Sequence, residues 1–286
     1  MNSEPIKQIL PKFIADLTAK KRSPATILAY RADLDQLIAF LAEKNKGTAD
    51  QIKKEDIEAF RDSLLLQKYT PKSVSRKLNA VKTFFRWLTL QKIILVDPSA
   101  QVTHPKTEAT APKFLSQLEY RALRDVVRTD KRIATIVELI LQTGLRISEV
   151  ANLKIENIND REIMIEAYAT QPTRKIPLNK MAKMYLDAYL NDLGRKESYV
   201  FVSKNGKPLA IRNIRASVDR YMQKAEIPNY SVNDLRTTFI IENLKRGVDL
   251  VTISQVVGHK RLSTTERYLE LVNLKETGKK QQLEEL

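Results

Sequence analysis

At 286 residues, 43% of them hydrophobic, the chain is long enough to build one or two packed domains. Its formal net charge of +15 suits a polyanionic partner, because a basic surface gains affinity by displacing counterions from phosphates. The absence of cysteine excludes disulfides and thiolate metal sites, and the presence of only two histidines (His104 and His259) argues against a histidine-built zinc site. No apolar run reaches ~18 residues, the length a membrane helix needs, and no signal peptide or lipidation motif is evident, so a cytoplasmic, nucleoid-associated protein without a membrane partner is expected.

Residues 1–95 read as a helical bundle. Ser23-Pro24-Ala25-Thr26 places a cap residue before a proline at the first helical position, and an apolar-periodic run follows through Phe40 and Leu41. Thr70-Pro71-Lys72-Ser73 opens a second helix in the same way, with Val74, Leu78, Val81, Phe84, Phe85 and Leu88 at helical spacing. Trp87 is assigned to packing rather than to a cofactor. Over 96–113 the periodicity breaks, and Pro98, Pro105 and Pro112 punctuate a stretch that reads as an interdomain linker rather than a loop within one domain.

Residues 114–286 are mixed. Helices are expected near 117–127, 131–142 and 147–153. A hairpin follows from 161–168 and 173–178, with Gln171 and Pro172 at its turn. Further helices are expected at 180–192, 209–225, 233–246, 249–256 and 263–274, with a strand at 199–202 and a polar tail from Thr277. The fold class is therefore mainly α with a small β-sheet: a helical N-terminal bundle followed by an α+β domain.

Four residues of the second domain carry the chemistry. Arg146 lies in TGLRISEV (143–150), Arg236 in SVNDLRTTF (231–239), and His259 and Tyr268 in VVGHKRLSTTERY (256–268). Two guanidiniums can clamp one phosphate, an imidazole can add a hydrogen bond or move a proton, and a phenol can attack phosphorus. Arg146 opens a helix whose dipole favours anions, and Glu149 three residues on can hold its guanidinium. Asn233 and Arg236, at i and i+3, share a helix face. Ser263 to Glu266 matches a capping box, which puts Tyr268 in the second turn of the following helix. A phenol of pKa near 10 needs adjacent positive charge to act as a phenolate, and two arginines supply it.

These motifs resemble those of the tyrosine recombinase (phage-integrase) family, and among its members the compact bacterial Xer-like type. The resemblance extends over a core-site-binding domain (1–95), a linker (96–113) and a catalytic domain with a C-terminal tail (114–286). It implies that Tyr268 attacks the scissile phosphate to give a 3′-phosphotyrosyl bond and a free 5′-hydroxyl, and that the 5′-hydroxyl of a partner strand then reverses the step. Bond energy is conserved, so no ATP, metal or other cofactor is expected. Arg146 and Arg236 take the places of the two family arginines, His259 that of the late His or Trp, and Tyr268 that of the nucleophile. The implied assembly is a C-shaped clamp on double-stranded DNA carrying a specific recombination site. The implied oligomer is a homo-tetramer on two sites, in which the C-terminal segment docks on a neighbour. Integration, resolution of chromosome or plasmid dimers and separation of transposon cointegrates all fit. A type IB topoisomerase-like nicking-closing enzyme shares the catalytic set, and a non-catalytic DNA-binding regulator is the alternative from another class.

Two positions depart from the family pattern. Asn233 stands where the family has His or Lys, and an amide can donate to a phosphate oxygen but cannot shuttle a proton at neutral pH. The family's hairpin lysine aligns with Ala169 or Thr170. Lys175 is the nearest lysine and the candidate for that role, the alternative being a basic strand residue that touches the DNA backbone.

Overall fold

The computed structural model describes residues 4–108, 111–167, 171–193 and 198–276. The chain divides into two compact units, Met1–Ala109 and Thr110–Leu286.

Unit 1 consists of α1 (Ile6–Ala19), α2 (Pro24–Glu43), α3 (Lys54–Leu66) and α4 (Pro71–Leu90). The two proline-led starts form as the sequence implies. Ser23 Oγ accepts from the Thr26 amide at 3.2 Å, and Thr70 Oγ1 accepts from the Ser73 amide at 3.3 Å. Phe13, Leu34, Leu37, Phe60, Leu78, Phe84 and Phe85 fill one core, and Trp87 is buried with them. Asp33, on α2, is buried and receives the Arg76 guanidinium and Lys77 Nζ from α4, so its charge is paired inside the bundle. All four helices close on a non-glycine residue of positive φ: Lys21, Asn45, Lys68 and Lys92.

The first half of the proline-marked segment belongs to this unit. Asp97 Oδ1 accepts from the amide of Ser99, Val102 enters the bundle core, and Arg61 donates to the Thr103 carbonyl. His104 Nδ1 and Ser75 Oγ lie 2.9 Å apart. The apolar Val102 is what the linker reading undervalued: one buried side chain ties down a stretch that lacks any helical period.

Unit 2 contains α5 (Gln117–Val127), α6 (Lys131–Thr143), α7 (Ile147–Ala151), β1 (Glu162–Ile165), β2 (Arg174–Pro177), α8 (Lys180–Leu193), α9 (Ile211–Lys224), α10 (Val232–Lys245), α11 (Leu250–Val257), α12 (Ser263–Glu266) and α13 (Leu269–Glu276). Helix α6 is buried continuously from Ile133 to Leu141, including Glu138, which is paired with Arg124, and it sits in the core against α8 and α10. The hairpin is antiparallel, pairing Glu162 with Pro177, Ile163 with Ile176, Met164 with Lys175 and Ile165 with Arg174.

Gln171 and Pro172 lie on the connection between the paired residues Ile165 and Arg174, while Ala169 and Thr170, aligned with the family's lysine, lie outside the described residues. Other local expectations change. The 199–202 run is buried at Val200 and Phe201, but it makes only isolated bridges, Tyr199 to Lys154 and Val202 to Pro208, instead of a strand. The last expected helix is broken: α12 ends at Glu266, the Tyr268 backbone amide donates to the Thr265 carbonyl at 3.0 Å, and α13 starts at Leu269. The Ser263–Glu266 capping box does not form, because Leu262 already has helical angles and the Thr264 and Thr265 amides bond to Arg261 and Leu262.

Candidate active site

The site is built within unit 2 around the C-terminal end of α11. The last carbonyls of a helix lack intrahelical donors and carry the negative end of its dipole. Here every one of them is satisfied. Gly258, at φ 68°, turns the chain so that the Gly258 amide returns to the Gln255 carbonyl and the His259 amide to the Ser254 carbonyl at 2.9 Å. The next three carbonyls each take a different arginine: Arg174 Nε donates to Val256 at 2.8 Å, Arg236 Nη2 to Val257 at 2.6 Å, and Arg146 Nη2 to Gly258 at 2.5 Å. One helix end thus gathers three guanidiniums that come from β2, α10 and the start of α7.

Glu149 supplies the balancing charge. As the third residue of α7 it accepts from the Arg146 amide at 2.8 Å and from Arg146 Nη1 at 2.9 Å. It also accepts both terminal nitrogens of Arg174, each at 2.8 Å. Burial alone raises its pKa, but the hydrogen bonds from Arg174 and from the Arg146 amide, together with the charges of both arginines, hold the carboxyl below its usual range. Arg236 also donates to the Gly144 carbonyl, a residue at φ 66° where an added Cβ would collide with the Phe239 ring. Burial first, then the Arg146 charge, lower the Arg236 pKa to about 9, which leaves it protonated at neutral pH.

A cavity of about 330 Å³ opens beside this cluster, lined by Arg146, Ser148, Asn233, Arg236, Thr237 and Tyr268 among others. Four of the residues singled out from the sequence therefore meet on one wall. His259 stands just behind them. Its ring is nearly parallel to that of Tyr268, with centroids 6.3 Å apart and planes at 10°, and its Nδ1 is 2.8 Å from Thr265 Oγ1. Burial, then the charges of Arg236, Arg146 and Arg174, push the imidazole down to about 4, so it is neutral at pH 7. Asn233 is exposed in the cavity wall and its amide makes no hydrogen bond among the described residues. The cap of α10 is made by Asp234, whose carboxylate reaches back to the Ser231 amide at 2.8 Å, so Asn233 is not needed for it.

Lys175 is not brought to the cluster. Successive side chains of a strand point to opposite faces. Arg174 and Ile176 therefore turn inward, while Lys175 turns outward, 67% exposed and paired with Glu162 at 2.7 Å. The residue that selection by charge type passed over is Arg174. Its signal was present in the alternation with buried Ile176, but nothing local announces that its partner is a carboxylate 25 residues earlier.

The phage integrase family profile matches residues 113–273, and the phage integrase N-terminal SAM-like domain matches residues 10–92. A tyrosine recombinase XerC of Staphylococcus saprophyticus subsp. saprophyticus is 29% identical over 264 residues, covering 89% of this chain and 89% of that protein. A tyrosine recombinase XerC of Lactobacillus delbrueckii subsp. bulgaricus is 32% identical over 262 residues, covering 86% and 88%. The solved XerA recombinase is 26% identical with a TM-score of 0.55, covering 96% of this chain and 99% of that one. A lambda integrase dimer bound to a COC′ core site shares the fold, with a TM-score of 0.74 at 16% identity over 91% and 97% of the two chains. By sequence over most of its length and by fold in both units, the chain belongs to the phage integrase family.

Proposed function

We propose that this protein is a site-specific DNA recombinase that cuts and rejoins strands through a phosphotyrosyl intermediate on Tyr268. The observation that carries the reading is the shared cavity wall on which Tyr268 faces Arg146, Arg236 and Asn233. A scissile phosphate there meets two guanidiniums already held in place, Arg146 by Glu149 and the Gly258 carbonyl and Arg236 by the Gly144 and Val257 carbonyls, so charge stabilisation is preorganised and costs little rearrangement in the transition state. The phenol oxygen forms the new bond to phosphorus as the bond to the 5′ oxygen breaks. The phenol proton passes to neutral His259 or to water, and the departing 5′ oxygen takes a proton from water, so that it leaves as a hydroxyl. Attack by a 5′-hydroxyl on the phosphotyrosine reverses these changes, which makes rejoining the same chemistry run backwards. Arg146 and Arg236 clamp the phosphate, and Asn233 donates one neutral hydrogen bond to it. The hairpin lysine's role is not assigned to Lys175, which faces away.

Relatives named tyrosine recombinases over most of both chains favour recombination above relaxation of supercoils or passive binding. The lambda integrase has been solved as a tetramer bound to a Holliday junction, and we extend to this chain a tetramer acting on two duplex sites. The test begins with duplexes that the wild-type protein selects from a random-sequence pool, rebuilt with a nick that traps the adduct. Wild type is expected to yield a covalent protein–DNA species on a denaturing gel, and Tyr268→Phe is expected to bind equally well and yield none. An adduct that persists in the Phe variant removes Tyr268 as nucleophile.

A further inference from the structure

Arg174 is more deeply buried than Arg146, whose side chain is 28% exposed. The Arg174 side chain is 9% exposed, and it is absent from the cavity wall that Arg146 and Arg236 help to form. All three of its nitrogens are engaged: two on Glu149 and one on the Val256 carbonyl. It also lies directly under the helix-closing turn, since a Cβ at Gly258 would stand 3.0 Å from its Cζ and Nε.

We propose that Arg174 is a positioning residue for strand cleavage, aiming the Arg146 guanidinium through Glu149 and holding in place the turn that carries His259. This rests on the recombinase reading above. A carboxylate offers about four lone-pair sites. Arg174 takes one on each oxygen of Glu149, the Arg146 amide takes another, and Arg146 Nη1 is left with a single bond. Arg146 is thereby held by one nitrogen on Glu149 and one on Gly258, a geometry that leaves its remaining donor edge for a phosphate. Without Arg174, Glu149 is free to close on Arg146 as a two-point pair, the geometry a guanidinium and a carboxylate prefer, and that draws the fork away from the cavity. The Val256 carbonyl would also lose its donor, loosening the end of α11 on which the other two arginines and His259 depend. The hairpin thus contributes to the site through an inward arginine, on the strand position next to the lysine that faces solvent.

The experiment compares wild type, Arg174→Gln and Arg174→Lys in single-turnover adduct formation at saturating nicked duplex, alongside DNA affinity and melting temperature. Lys keeps the charge and one bond to Glu149 but not the fork. Per folded molecule, Gln is expected to slow cleavage about 10- to 100-fold, the scale on which partners that orient a site's ligands commonly act. Lys is expected to fall between Gln and wild type, with DNA affinity within about twofold throughout, since Arg174 does not line the cavity and one re-aimed guanidinium is a small part of an affinity spread over many phosphate contacts. Adding Glu149→Gln to Arg174→Gln should slow cleavage by less than the product of the two single effects, because both break one linkage. Wild-type cleavage per folded molecule in Arg174→Lys overturns the proposal. So does a loss confined to DNA affinity, or a Lys variant that does not fold, which would make the residue purely structural. Absence of an adduct with wild type itself refutes the recombinase reading and this inference with it, whereas a wild-type adduct with undiminished Arg174 variants refutes the inference alone.

Discussion

Asn233 and His259 show what single residues contribute at this site. Asn233 lines the cavity beside Arg236 while Asp234 carries the cap of α10, so removing its amide is a change in the site and not in the helix. Asn233→Ala is expected to slow cleavage about tenfold, the worth of one neutral hydrogen bond, and to leave the melting temperature unchanged. Arg236→Ala is expected to cost about 10²- to 10³-fold, because it removes a preorganised charged donor. An Asn233→Ala protein that melts early yet cleaves normally contradicts this ordering. His259 has a folded pKa of about 4 against an ordinary 6.5. Between those values the unfolded chain binds a proton that the folded one refuses, so stability is full above about pH 6.5 and falls as the pH drops toward 4. The stability difference between wild type and His259→Asn should therefore change across that window and be flat above it. A difference that stays constant from pH 7 to 4 is the opposing result.

At the scale of elements, helix ends do much of the placing. In unit 1 the four helices close on Lys21, Asn45, Lys68 and Lys92 in the left-handed region, with bonds such as Tyr69 amide to Leu64 carbonyl across the turn. Such a conformation strains a residue with a Cβ by roughly 1–2 kcal/mol. At α11 the same turn is closed by Gly258, and there the space for a Cβ is taken by Arg174. The two kinds of end should answer oppositely to substitution. Lys68→Gly is expected to stabilise the bundle by about 0.5–1 kcal/mol after the entropy of glycine is subtracted. Gly258→Ala is expected to destabilise by about 1 kcal/mol or more and to slow cleavage as well, since the left-handed turn disfavours a Cβ and Arg174 must move. Chemical denaturation of both variants, with cleavage measured on the second, checks the pair; a stabilising Gly258→Ala is the result that contradicts it.

Over the whole molecule, charge governs how the protein meets DNA. Lys and Arg outnumber Asp and Glu by 49 to 34, and the surplus is present in both units, so neither the bundle nor the catalytic unit is neutral toward a phosphate backbone. Binding to duplex DNA is expected to release many counterions. Between 50 and 200 mM salt the affinity should fall by roughly 10³-fold or more, as for proteins that neutralise six to ten phosphates. A log–log slope near zero is the outcome that rules out an extended DNA surface. Among the described residues no helix is long and apolar enough to cross a membrane, and no group of His, Asp and Glu is arranged to hold a metal ion.

Much of this was written locally in the chain. The proline-led caps at Ser23 and Thr70, the apolar periodicity of α4, and the short motifs that surround Arg146, Arg236, His259 and Tyr268 each depend on residues within a few turns of one another, which is the range over which sequence pattern fixes backbone geometry. The sequence was silent where the deciding partner is remote. Val102 anchors half of the expected linker only because the bundle offers it a core position. Helix α12 ends at Glu266 and α13 starts at Leu269, a break that no proline or glycine in the run marks. Lys175 and Arg174 carry the same charge side by side, and only the pairing of β2 with β1 and its packing on α11 sends the arginine to Glu149 and the lysine to solvent. Residue types and their order follow from the chain itself; which side of a strand faces the buried carboxylate, and which carbonyls wait there for a donor, exist only once distant segments have packed together.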